Sequence, residues 1–181
     1  MSTAANVTAA KPKVGGGVYV GPVGSTAPSD ATSALDAAFK SLGYCSEDGL
    51  TNSNSIEVTD VKAWGGDIVN SLLSQKTDTF QFKLIENLNA DVLKTVYGSK
   101  NVIVGSSGEI EIVSKAEDTE RFAWVFEIVL NKDTVKRIYV PEAKITEIGD
   151  IVYKDDEPIG YEITISAYPD ASAATHYEWI E

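Results

Sequence analysis

Residues 122–130, Phe-Ala-Trp-Val-Phe-Glu-Ile-Val-Leu, constrain the fold more than any other stretch. Read as a strand, Phe122, Trp124, Phe126, Ile128 and Leu130 line one face. Ala123, Val125 and Val129 make the other face apolar too, with Glu127 the exception. A strand apolar on both faces must be covered on both, so it belongs at the centre of a sandwich or inside a barrel. Trp124 is therefore read as core.

The neighbouring segments supply the rest of such a sheet. Strands are expected at 18–23, 56–62, 79–84, 109–113, 134–140, 144–148 and 160–167, with less clean extended character over 68–75, separated by turn-rich breaks. Those breaks include Ser106-Ser107-Gly108, Asn131-Lys132-Asp133 and Lys154-Asp155-Asp156-Glu157-Pro158. Phe80, Phe82 and Leu84 point one way and Gln81 and Lys83 the other. In 160–167 Glu162, Thr164 and Ser166 give one wet face. Two helices interrupt the pattern. Asn89 caps one, with Asp91 in its first turn, Val92, Leu93 and Val96 on its apolar stripe and Gly98 at its end. A second, over 31–42, would follow Ser29 or Asp30 and put Leu35, Ala38, Phe39 and Leu42 on one face. The expected fold class is mainly β (α+β): a β-sandwich or barrel with one or two flanking helices. Residues 1–14 lack apolar periodicity and are expected to form a mobile arm. Residues 15–181 form one domain, with a long hairpin loop near 51–78.

Charge and composition narrow the function classes. Fifteen basic against 27 acidic residues give a net charge of −12. Lys11, Lys13 and Lys40 outnumber Asp30 and Asp36 before Cys45, so the acidity lies beyond it. That is the wrong sign for gripping nucleic acid or an anionic membrane. The longest purely apolar run, 122–126, is far short of a membrane span, and the first residues lack a secretion signal's pattern, so an unexported protein is expected. Cys45 is the only cysteine, which rules out an intrachain disulfide.

No catalytic or cofactor constellation emerges, and no cofactor is expected. His176 is the single histidine and reads as a tail residue of no special role. Cys45, between Tyr44 and Ser46, reads as a small buried hydrophobe rather than its nucleophilic partner. The glycines of 15–24 fit neither a dinucleotide fingerprint nor a P-loop, and Asp155-Asp156-Glu157 lacks the spacing of a calcium loop. Trp64 differs from Trp124: it precedes Gly65 and Gly66 in a segment where no core claims it. A tucked-in loop residue and an anchor docking on another subunit are both open.

Three stretches taken together resemble the major tail (tail tube) proteins of long-tailed, non-contractile phages. They are Lys62-Ala63-Trp64-Gly65-Gly66-Asp67, residues 79–86 from Thr79 to Glu86, and residues 88–98 from Leu88 to Gly98. Gly149-Asp150-Ile151-Val152-Tyr153, Gly160-Tyr161-Glu162-Ile163-Thr164 and Tyr168-Pro169-Asp170 extend the likeness, which runs from about Val18 to Asp170. The resemblance implies a tail-tube fold and hexameric rings that stack into a hollow tube through a long hairpin and a terminal arm. It implies as partners the chain itself, the tape-measure, tail-terminator and distal-tail proteins, and DNA passing without sticking. Lacking an appended immunoglobulin-like domain near Glu181, the subunit is not expected to decorate host surfaces. The subunit-interface candidates are then Trp64, Gly65, Gly66, Lys11 and Lys13. The acids expected to face the bore are among Glu57, Asp60, Asp67 and Asp78, whose register the alternation leaves open. The competing reading is an all-β carbohydrate-binding module with Trp64 as platform; a hydrolase built on two carboxylates is unsupported.

Overall fold

The computed structural model describes residues 2–131 and 134–181. A short 3-10 turn, Ala4–Asn6, is followed by β1 (Lys11–Pro12), β2 (Val18–Pro22), β3 (Lys40–Ser41), β4 (Cys45–Lys62) and β5 (Ile68–Leu84). Then come α1 (Ala90–Tyr97), β6 (Val102–Val104), β7 (Ile110–Ile112), β8 (Arg121–Val129), β9 (Val135–Ile148), β10 (Tyr161–Ala167) and β11 (Tyr177–Ile180). Nine strands form one sheet in the order β3-β2-β8-β9-β10-β5-β4, with β1 on β8 and β11 on β9; β6 and β7 pair separately.

The doubly apolar strand is β8, held between β2 and β9. Its Trp124 and Phe126 meet Phe82 at ring-centroid distances of 5.7 and 5.3 Å, and Phe126 stacks on Phe80 at 5.5 Å. Strands β9 and β10 lie between β8 and β5 in sheet order, so these contacts require the sheet to roll round on itself. The roll does not close into a barrel. At the gap the chain leaving β3 crosses over: Leu42 N–H donates to Val18 O and Ile85 N–H to Tyr44 O. Helix α1 plugs the roll with Val92, Leu93 and Val96. Asn89 accepts from the Asp91 N–H at 3.0 Å, and Gly98 takes φ 92°, as the sequence foretells for a cap and a stop.

The outer face of β8 is covered by the segment 31–42, which is not a helix. Asp30 accepts from the backbone N–H groups of Thr32 and Ser33, and Asp36 from those of Thr26 and Ala38. Such local side-chain bonds offer the backbone an alternative to helix. Phe39 and Leu42 consequently part. Phe39 packs with Ala123, Val125 and Tyr139 outside the sheet, and Leu42 joins the main core.

The stretches 134–140 and 144–148 merge into the single strand β9. Pro141 has no N–H to give the ladder, and it sits where the register against β8 jumps between Phe122 and Trp124. The break expected at Asn131-Lys132-Asp133 lies partly outside the described residues. Four short strands, β1, β3, β6 and β11, lie outside the expected set; β11 pairs with the first half of β9.

Candidate functional site

Strands β4 and β5 run far beyond the sheet that roots them. β10 accompanies β5 only as far as Ser166 opposite Thr79, whereas β4 and β5 stay paired out to Lys62 and Ile68. The result is a bare two-stranded ribbon in which every residue from 51 to 76 is exposed. Its tip is a tight turn: Ala63 N–H donates to Asp67 O at 2.8 Å and Gly66 N–H to Ala63 O at 3.0 Å. Gly65 and Gly66 adopt φ 115° and 98°, which their lack of a side chain permits. Trp64 stands at this tip fully exposed, at 103% of its reference area, and belongs to no aromatic pair among the described residues.

The cross-strand register assigns the faces. Ile56, Val58, Asp60 and Lys62 lie opposite Lys76, Leu73, Ser71 and Ile68 on one face, where the Ser71 hydroxyl donates to Asp60 at 2.6 Å. Glu57, Thr59 and Val61 lie opposite Gln75, Leu72 and Asn70 on the other. Register shifts beside Glu57 and Val61 leave Ser74 and Val69 as extra residues on β5. These bulges blur the alternation of 68–75. Ile56, Val58, Ile68 and Leu73 thus lie uncovered on the first face, and Val61 and Leu72 among polar neighbours on the second. A two-stranded ribbon is marginal alone, and large apolar side chains gathered on an exposed face mark a contact with another molecule.

The four acids proposed for a bore part company. Glu57 and Asp60 are exposed on opposite faces, and Asp67 is exposed in the turn. Asp78 is 2% exposed and faces no channel. It accepts from the Asn52 amide at 2.8 Å and the Thr175 hydroxyl at 2.7 Å, and pairs with His176 Nδ1 at 2.5 Å. His176, read from sequence as an idle tail residue, thereby fastens the C-terminal segment to the foot of the ribbon, edge-on to Phe80. Only the long-range partner could have revealed this.

The N-terminal arm is tied down near its end. Lys11 and Pro12 pair with Val129 and Ile128, and Lys13 N–H donates to Glu127 O. The Lys13 ammonium lies 2.7 Å from Glu127, which also pairs with buried Arg137. Glu127, the exception on the outer face of β8, is the cause: a buried carboxylate requires partners, and two cations supply them. Lys11 stays exposed, with no ion pair among the described residues.

Cys45 and His176 do not combine. The thiol sits at the start of β4, where burial and then the Glu86 charge push its pKa up to about 11. Among the described residues no cluster of His, Cys, Asp and Glu could hold a metal ion, and no helix is long and apolar enough to cross a membrane. A sugar platform expects a concave aromatic site, whereas Trp64 crowns a convex tip.

A family model described as phage tail tube protein matches residues 3–181. No curated protein matches the chain.

Proposed function

This chain belongs to the phage tail tube protein family and is a structural protein of the virion tail; from that premise we propose that its copies close into hexameric rings that stack into the hollow tube of a long, non-contractile tail. The observation that carries the reading is the projecting β4–β5 ribbon, with uncovered apolar side chains concentrated on one face and Trp64 at its tip. Head-to-tail contacts between unlike surfaces either close a ring or extend a filament, and a tube uses both. Trp64, held out by Gly65 and Gly66, is the inter-subunit anchor, since Trp dominates interface hot spots. Lys11 extends the same contact, while Lys13 acts within its own subunit.

The genome passes through the bore without sticking. An acidic lining repels phosphates, so a duplex slides instead of exchanging its counterions for protein contacts. Of the exposed acids, Glu57 and Asp60 project from opposite ribbon faces, so one of the two at most lines the bore where the ribbon runs along it. Assembly takes place in the host cytoplasm, with tape-measure, terminator and distal-tail proteins as partners. Negative-stain microscopy of the concentrated protein tests the reading. Rings or tubes support it, and uniform small monomers under every condition overturn it.

A further inference from the structure

At the foot of the ribbon, where the rolled sheet fails to close, lies a groove of about 380 Å³. Val18, Phe82 and Phe126 form its floor, with Leu50, Cys45 and Ile128 on its sides. Lys11 and Glu47 stand on its rim, both exposed. Residues 46–49 are looped out of register between the Cys45–Leu84 and Leu50–Phe82 pairs, and Ser46, Glu47 and Gly49 of that loop line the groove.

We infer that this groove receives the Trp64 tip of a second copy of this chain. The inference rests on the stacking proposed above and names where the stacked copy is held. Three observations single out this occupant. The first is shape: the volume falls within the roughly 300–1,000 Å³ of sites that enclose a compact apolar group. An indole is such a group, and Trp64 has nothing of its own chain to rest on. The second is charge. Lys62 and Asp67 flank the tip, and Lys11 and Glu47 flank the groove, so docking sets Asp67 against Lys11 and Lys62 against Glu47. The third is reach. From Leu50 to Lys62 the strand climbs about 40 Å at ~3.3 Å per residue. The two strands stay paired over that distance, through the bulges at Ser74 and Val69. A tip carried that far from its own foot cannot fold back into the groove beside it, so the occupant comes from another molecule. Donor and acceptor on one chain, a ribbon's length apart, repeat head to tail without self-closure along the ribbon. The spacing between successive copies is then set by the ribbon at no more than about 40 Å.

The test places cysteines on the two flanks: Glu47→Cys with Lys62→Cys in a Cys45→Ser background, oxidised in assembled protein and run on a non-reducing gel. The inference expects a ladder of covalent multimers, absent from either single-cysteine protein; within one chain the two positions are too far apart to join. A parallel pair of charge reversals needs no thiols. Lys11→Glu and Asp67→Lys should each raise the concentration for half-assembly at least tenfold, and together they should return it close to wild type. Circular dichroism checks that each variant folds. Tubes that form without the ladder, and a double reversal no better than the singles, overturn the groove as acceptor while leaving stacking intact. A wild type that forms no multimers overturns both.

Discussion

Asp78 and His176, 98 residues apart in sequence, meet at 2.5 Å beneath the root of the β4–β5 ribbon. The carboxylate is wholly buried, and the Asn52 amide and Thr175 hydroxyl complete its set of donors. One hydrogen-bonded cluster thus joins both ribbon strands to the C-terminal segment. The ribbon is thereby aimed by the body of the subunit.

Asp78→Ala should lower stability by about 1–3 kcal/mol, because it leaves the partly buried Thr175 hydroxyl and His176 ring without their acceptor. Asp60→Ala, on the exposed ribbon, should change it by less than about 0.5 kcal/mol. Chemical denaturation of the two variants checks the contrast. Equal effects would show that Asp78 is not the structural member of the acidic set.

Glu127→Ala should cost about 3–5 kcal/mol, since it strands the Arg137 guanidinium in the interior. Lys13, half exposed, should cost about 0.2–1 kcal/mol on truncation. Replacing Glu127 and Arg137 together by Leu and Met should recover most of the loss. Melting curves of the single and double variants decide it; a double variant as weak as Glu127→Ala would mean that the charges themselves hold this face.

The Cys45 thiol should react slowly with alkylating reagents near neutral pH, because its pKa is raised to about 11 by burial and then by Glu86. The folded state favours the neutral thiol, so this contribution to stability is complete below the ordinary thiol range near 8.5 and is lost as pH rises towards 11. Labelling rate against pH, with and without denaturant, checks it. Fast labelling of folded protein at pH 7 would contradict the burial.

Reversing Glu57 and Asp60 to Lys in separate variants should slow DNA release from assembled particles in one case only, since the two residues occupy opposite faces of the ribbon. The slowing should be greatest at low ionic strength, where phosphate contacts are strongest. Ejection rates across a salt series measure it. If neither variant slows release at any salt, the −12 charge serves solubility alone.

Some of this architecture is written locally and some is not. β8 announces itself because nine consecutive residues carry both of its buried faces, and α1 because Asn89 and Gly98 bracket it. The segment 31–42 misleads because its apolar spacing suits a helix, while Asp30 and Asp36 bind the backbone in competing turns. The ribbon's existence and Trp64's position follow from the Gly65-Gly66 turn, but its faces do not. Bulges at Ser74 and Val69 shift parity at positions that depend on pairing. Asp78 looks like its exposed neighbours because its partners, Thr175 and His176, arrive only when the chain's end folds back.

The claim on which the account stands is that the ribbon assembles the subunits through Trp64. The direct measurement is the particle-length distribution of wild type and Trp64→Ala at matched concentrations, with circular dichroism and melting temperature recorded on the same samples. Truncating a hot-spot Trp costs more than ~2 kcal/mol per contact, a loss repeated at every subunit of a tube. The account predicts unchanged dichroism and melting for the variant, with tubes from the wild type and only short fragments or free subunits from Trp64→Ala. Tubes of wild-type length from Trp64→Ala would contradict it.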